Sequence, residues 1–79
     1  MVKFIGEGYT YTDKLSGETV ELIKDNDYNI ALRWDGPSII INGKQMFDDN
    51  GSFWVEFQDK NVQIPYAPSC LKKHWDVQL

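Results

Sequence analysis

Two residues that can do chemistry stand four positions apart near the C-terminus, Cys70 and His74. On a helix this spacing places both side chains on one face, where they could share a metal ion with Asp76. A structural zinc site takes four ligands, however, and the chain has one cysteine and one histidine in all. Nothing near the pair would orient the histidine as a base or stabilise an oxyanion. The sequence therefore predicts no metal, no cofactor and no enzymatic activity.

A second candidate for chemistry is a calcium loop beginning at Asp25. Asp25, Asp27 and Asn29 match the first three ligand positions of an EF-hand. The sixth position is Ile30, where a glycine must form the sharp turn, and the twelfth is Gly36, where a bidentate glutamate is needed. The segment is therefore predicted to be a turn between strands and not a cation site.

Aspartates recur at the predicted turns of an acidic chain, which has twelve acidic and eight basic side chains and a net charge of −4. This balance argues against a general nucleic-acid binder, which is usually basic. Alternate turns of a meander lie at one end of the sheet, so some of these carboxylates could gather into a surface that attracts a basic protein partner. The simpler alternative is that aspartates favour and solvate turns. The candidate contact residues are Asp25, Asp27, Asp35, Asp48, Asp49 and Asp59.

Two aromatic residues are candidates for the affinity of such a contact, because aromatic side chains dominate binding energy at protein interfaces. Tyr28 follows the Asp27 turn, and Trp54 lies on the opposite face of its predicted strand from Phe53. The alternative for each ring is a place in the core.

A basic and aromatic group near the C-terminus supports a competing function. Lys72, Lys73 and Trp75 could bind phosphates and stack on a base, together with aromatic residues on the strands. That arrangement would make the chain a nucleic-acid-binding module. The simpler alternative is a solvated helix end whose tryptophan completes the core, since lysines near a helix C-terminus also favour its dipole.

Turn signals at short intervals predict that these residues are carried by one all-β domain, residues 1–79, with a short C-terminal helical turn. The run that ends at Trp34 alternates apolar and polar residues, as in a half-buried strand. We expect it to form a hairpin with the run that starts at Thr19, with residues 24–27 at the tip. Asn42-Gly43 predicts a type I′ turn that joins 39–41 to 44–47.

The remaining elements follow from similar signals. Residues 52–57 are predicted to be a strand with Phe53, Val55 and Phe57 on one face. Pro65 and Pro68 are expected to end the last strand, and Ser69 is the predicted N-cap of the helical turn. Six to seven strands are expected, in a small antiparallel meander or barrel.

This plan of strands, over roughly residues 8–66, resembles a small SH3-like or Tudor-like barrel, a resemblance that implies a fold and not a function. A small acidic domain without catalytic groups also resembles, in general character, the inhibitors made by bacteriophages and mobile elements, some of which imitate DNA. That resemblance implies a non-enzymatic inhibitor that occupies a basic surface, such as that of a DNA-binding protein. A homodimer would double the acidic strip.

The compartment is predicted from the cysteine count and from hydropathy. A lone cysteine fits a reducing compartment, and MVKFIGEG lacks the apolar stretch of a signal peptide. No apolar run approaches about 18 residues, so no membrane association is expected. The sequence predicts a cytoplasmic protein, in the cytoplasm of the host cell if a phage encodes it.

Overall fold

The computed structural model describes residues 1–79 and contains nine short antiparallel strands and one helix. The strands are β1 (Val2–Lys3), β2 (Tyr9–Thr12), β3 (Thr19–Leu22), β4 (Asp27–Tyr28), β5 (Ile30–Asp35), β6 (Ile39–Ile41), β7 (Lys44–Met46), β8 (Ser52–Phe57) and β9 (Gln63–Tyr66), and the helix is α1 (Pro68–His74). The predicted all-β class with a short C-terminal helix is confirmed. The strands outnumber the expected six to seven because β1 and β4 are separate two-residue pieces.

The central sheet has the strand order β5-β8-β9, with both ladders antiparallel. Its inner face is the one predicted from the alternation of β8, since Phe53, Val55 and Phe57 are all buried. Ile30, Leu32 and Trp34 of β5 pack against this core and are half-buried. A period of two along each strand therefore separates the core from the outer face of this sheet.

The hairpin expected between residues 19 and 34 does not form. Strand β3 pairs with β2, and β5 pairs with β8. The backbone of the intervening turn is bound by Phe4, which donates to the carbonyl of Asn26 at 2.9 Å and accepts from the amide of Asp25 at 2.7 Å. Asp25 also has a positive φ of 71°. These bonds redirect the chain into β4, which pairs with β1 instead of extending the β3 ladder.

Four separate sheets result, and their hydrogen-bond ladders do not close into a barrel. The predicted turn at Asn42-Gly43 is confirmed, with φ values of 52° and 77° that match a type I′ turn, and it joins β6 to β7. These two strands pair only with each other. The β6–β7 hairpin, residues 39–46, is thus a separate sheet.

The C-terminal helix begins two residues earlier than expected. Pro65 lies inside β9, which it can do because β9 is an edge strand and needs no second ladder of amide donors. Pro68 occupies the first turn of α1, whose N-cap is Ala67, so the prediction of Ser69 as N-cap is wrong. With seven residues, α1 has less than half the length that a membrane-spanning helix requires.

The core is completed by contacts between the two ends of the chain. Trp75 and Phe4 are both fully buried, and their ring centroids lie 5.1 Å apart in an edge-to-face arrangement. The amide of Ile5 donates to the carbonyl of His74 at 2.8 Å, and the amide of Asp76 donates to the carbonyl of Lys3 at 3.0 Å. The N-terminal strand and the end of α1 therefore close the domain together.

Candidate protein-binding surfaces

Five of the six candidate aspartates are divided between the two ends of the central sheet, and the sixth, Asp25, lies in the turn bound by Phe4. In the β5–β8 ladder, Ile30 lies opposite Phe57 and Asp35 lies opposite Ser52. A six-residue strand rises by about 3.3 Å per residue, so these ends are about 17 Å apart. Asp27 and Asp59 lie at the first end, and Asp35, Asp48 and Asp49 lie at the second. The six aspartates therefore do not form one surface.

At the first end, four carboxylates converge on a part of the surface that we call the acidic end. Glu21, Asp27 and Asp59 line one shallow depression of about 330 Å³. Asp59 also lines an adjacent depression of about 350 Å³, which contains Glu18. Lys60 lines both depressions and is the only lysine or arginine to do so. The acidic end, Glu18, Glu21, Asp27 and Asp59, therefore has an excess of negative charge.

The carboxylates of the acidic end have no hydrogen-bond donor within the chain, and none forms a salt bridge. Lys3 is the cross-strand neighbour of Asp27 in the β1–β4 pair, and it is exposed. Opposite charges in such positions attract weakly at a solvated surface. The oxygen atoms of the acidic end are therefore available to donors from outside the chain.

The aspartates at the second end are used inside the molecule. Asp49 accepts the backbone amide of Ser69 at 3.1 Å and its hydroxyl at 2.7 Å. These bonds, with the positive charge of Lys73 as a smaller cause, lower the pKa of the Asp49 carboxyl. Asp48 accepts the amide of Asn50 at 3.0 Å within its own turn. The Asp49 carboxylate thus accepts a free backbone amide in the first turn of α1. This is the capping role that the sequence predicted for Ser69.

Asp35 and Asp25 also have local roles. One oxygen of Asp35 accepts the indole N–H of Trp54 at 3.4 Å. Asp25 occupies a left-handed backbone position, which aspartate and asparagine tolerate better than most residues. Its turn is tied to Phe4 by two backbone bonds, as described above. Neither residue belongs to the acidic end.

Tyr28 is largely an internal residue. Its ring lies 6.0 Å from Phe57 and 5.8 Å from Trp75, edge to face in both cases. Its hydroxyl accepts the amide of Ile23 at 2.8 Å and donates to the carbonyl of Glu21 at 3.0 Å. By holding these two backbone groups, Tyr28 fixes the position of the end of β3, which carries Glu21 of the acidic end.

Trp54 lies on the outer face of the central sheet, where it is half-buried. The guanidinium of Arg33 stands over its ring at 5.7 Å from the centroid. Trp54 also lines a cleft of about 430 Å³ together with Tyr11, Leu15 and Pro65. Leu15 is fully exposed at the tip of the β2–β3 loop. The sequence singled out Trp54 but did not reveal these neighbours, because they come from strands distant in sequence.

The basic group near the C-terminus does not have the geometry expected of it. Trp75 is fully buried, so it cannot stack on a base, and the prediction that used it for this purpose is wrong. His74 packs 5.3 Å from Tyr66, and its Nδ1–H donates to the carbonyl of Cys70 at 2.8 Å. Cys70 is exposed. The structure brings together no three His, Cys, Asp or Glu side chains that could hold a metal ion.

One carboxylate that the sequence did not single out has a structural role. Asp13 is 8% exposed and accepts the amides of Leu15, Ser16 and Gln63 at 2.8, 3.1 and 2.9 Å. These backbone donors, the amide of Ser16 foremost, lower the pKa of the Asp13 carboxyl. The bond to Gln63 ties the β2–β3 loop to β9. Two of the donors lie two and three residues after Asp13, as in an Asx turn, but the third could not be read from local sequence.

Comparison with known proteins adds no further guide: no family model, no curated protein and no solved structure matches the chain.

Proposed function

We propose that the chain is a non-enzymatic binding protein that uses its acidic end to occupy a basic surface of a protein partner in the cytoplasm. The observation that carries the proposal is the convergence of Asp27 and Asp59 with Glu18 and Glu21 on adjoining depressions. Two of these residues were predicted as contacts, and the two glutamates add to them. The aspartates at the other end of the central sheet are left out, because their oxygens already accept hydrogen bonds.

Electrostatics supports a basic partner. Complementary charge speeds encounter and fixes orientation, and carboxylates without internal donors gain the most from lysine or arginine side chains of a partner. A DNA-binding protein is one class with such a surface. A basic DNA-binding surface covered by the acidic end would be closed to nucleic acid, so the expected consequence of binding is inhibition.

The test compares two variants that lose the same number of charges. E18Q/E21Q/D27N/D59N removes the acidic end, and E7Q/D25N/D48N/D76N removes four carboxylates elsewhere, three of them exposed and Asp48 half-buried. Each tagged protein is used for capture from a nuclease-treated bacterial lysate at low and high salt, and captured proteins are identified by mass spectrometry. We expect wild type and the second variant to retain a basic protein at low salt, and the acidic-end variant to lose it.

The captured protein is then purified and titrated by calorimetry. We expect the acidic-end variant to bind at least about tenfold more weakly, with a steep salt dependence for wild type. Equal affinity of the two variants would contradict the acidic-end contact. Retention of nucleic acid without a protein would favour the competing nucleic-acid-binding function, which in this structure lacks its tryptophan.

A further inference from the structure

The β6–β7 hairpin exposes apolar side chains far beyond what its own fold requires. Ile40, Ile41 and Met46 are 68%, 55% and 46% exposed. No backbone hydrogen bond joins residues 37–47 to the rest of the chain. An isolated two-stranded hairpin is marginally stable in water, and apolar side chains exposed on both of its faces favour packing against a further strand. The hairpin would therefore gain stability by packing against a further strand.

The outer edge of β6 presents unpaired backbone groups at a defined residue. The type I′ turn makes Ile41 and Lys44 a hydrogen-bonded pair. Pairs alternate along an antiparallel ladder, so Ile40 and Gln45 form a non-hydrogen-bonded pair. The N–H and C=O of Ile40 consequently point away from β7, toward the free edge.

This edge lacks the features that normally block strand addition. Charged side chains and proline protect exposed edges. The edge strand β5 carries Arg33 and Asp35, the edge strand β9 carries Pro65, and β7 carries Lys44. Strand β6 is three consecutive isoleucines with neither device.

We propose that two copies of the chain pair through their β6 edges, antiparallel about a two-fold axis at Ile40, to give a continuous four-stranded sheet. The two Ile40 residues would exchange both backbone hydrogen bonds, and Ile39 of each copy would face Ile41 of the other. Such an isologous seam contains no charge and therefore opposes no like charges.

Charge elsewhere in the molecule also suits a second copy as the occupant. In this register the hairpin tip of one copy lies at the hairpin base of the other. Lys44 near that tip then lies two strand spacings, about 10 Å, from Ile39 of the other copy, on the side of the base that carries Asp35. The acidic end is at the opposite end of the central sheet from the hairpin, in a molecule 39 Å long. The acidic ends of the two copies would therefore stay far apart, and the dimer would be bivalent for the proposed partner.

The small area available to the contact limits its strength. A standard interface takes about 800 Å² from each partner, roughly 15% of the 5318 Å² surface of this chain. A hairpin of eight residues offers less than this. We expect a dimer that dissociates on dilution, with a Kd on the order of 100 μM.

The test is sedimentation velocity of the full chain from 5 to 500 μM, with I40K and Q45K as matched variants. Both add one positive charge to the same face of the hairpin, because Ile40 and Gln45 are cross-strand partners. Only I40K opposes two like charges across the seam. We expect wild type and Q45K to dimerise and I40K to associate at least about tenfold more weakly. A wild-type chain that stays monomeric to 500 μM would overturn the proposal, as would equal loss in both variants.

A mixed sample separates a lost seam from a lost fold. I40K and I40E alone should each be monomeric, whereas an equimolar mixture should form a heterodimer with an opposite-charge pair at the axis. In wild type, the Ile40 amide proton should exchange more slowly at 500 μM than at 20 μM, as measured by NMR. A mixture that stays monomeric, or exchange independent of concentration, would contradict this register. These outcomes do not depend on binding by the acidic end.

Discussion

At the level of single residues, the aspartates of this chain separate into those that hold its fold and those that face solvent. Asp13 and Asp49 accept backbone amides from distant segments, and for both the hydrogen bonds lower the pKa of the carboxyl. Asp27 and Asp59 accept none. Composition alone treats all four as equal surface charges. The hydrogen-bond donors around each oxygen decide which of them are available to a partner.

The lowered pKa of the Asp13 carboxyl predicts that its contribution to the stability of the fold depends on pH. A carboxyl with a lowered folded-state pKa stabilises the fold above its unfolded value, here 3.8, and loses that contribution as the pH falls through the lower folded pKa. D13N should therefore be less stable than wild type at pH 7, and the difference should shrink at pH 2 to 3. Urea unfolding followed by circular dichroism measures both.

The control for this prediction is D59N, because Asp59 accepts no hydrogen bond in the chain and belongs to the acidic end. We expect D59N to match wild type in unfolding midpoint within experimental error at both pH values. A D13N deficit that is unchanged between pH 7 and pH 2 would mean that the loss comes from packing and not from the charged form of Asp13.

At the level of elements, the β6–β7 hairpin is held by an aromatic base. Phe47 lies 4.9 Å from Trp34 and 4.8 Å from Phe53, measured between ring centroids. The indole N–H of Trp34 donates to the carbonyl of Pro37 at 3.2 Å. The hairpin is thus attached by three rings and one side-chain bond, without a backbone ladder to the central sheet.

Gly51 provides a test of this base. A Cβ there would lie 2.5 Å from Cη2 of Trp34 and 2.8 Å from Cα of Gly36, closer than side chains allow. G51A should therefore displace the indole and cost about 1–3 kcal/mol in the free energy of unfolding. Urea unfolding measures the loss, and intrinsic tryptophan fluorescence reports the displaced ring.

The double variant G51A/W34L is the control, since a smaller side chain removes the clash with the indole and leaves only the approach to Cα of Gly36. We expect the effect of G51A to be smaller in the W34L background than in wild type, which a double-mutant cycle quantifies. Equal effects in both backgrounds would show that Gly51 is needed for its backbone and not for the approach of the indole.

At the level of the whole molecule, three features are distributed over the two ends of the central sheet: the closure of the two chain ends, the acidic end and the hairpin. The first two share one end of the central sheet through Tyr28, whose ring touches Trp75 and whose hydroxyl holds the end of β3. The hairpin lies at the other end. The acidic end and the hairpin are therefore separate surfaces at opposite ends of the central sheet.

Trp75 tests the closure. W75A should cost about 3–5 kcal/mol, because it empties the largest fully buried side-chain site. Small domains have roughly 0.05–0.15 kcal/mol of stability per residue, so this loss approaches the total. Thermal unfolding monitored by circular dichroism should show a large fall in Tm or no transition.

W54A is the matched control, a tryptophan-to-alanine change on the outer face of the central sheet. We expect it to cost about 1 kcal/mol, since the ring is half-buried and leaves no closed cavity. Similar losses of stability for the two variants would show that burial of Trp75 does not stabilise the core more than the half-buried ring of Trp54 does.

Short-range patterns in the sequence predicted much of the fold. The alternation of β5 and β8 identified their inner faces, and Asn42-Gly43 identified the hairpin turn. Both succeed because side-chain direction in a strand and φ at a two-residue turn depend on neighbouring residues. Turn signals in the sequence identified Asp27 and Asp59 as candidate contacts. The alternation along β3 also indicates that Glu21 lies on an exposed face.

What the tertiary structure decided is which strands pair and which side chains stay free. The segment after Leu22 was predicted to fold back on itself, but Phe4 binds its turn and directs β3 and β5 into different sheets. Asp49 was predicted as a contact, and its carboxylate also caps α1 across 20 residues of chain. Pairing and capping partners distant in sequence compete by total free energy, which no local pattern contains. The sequence by itself therefore determined the strands and the supply of carboxylates, and the tertiary structure alone placed four of them together and left β6 uncovered.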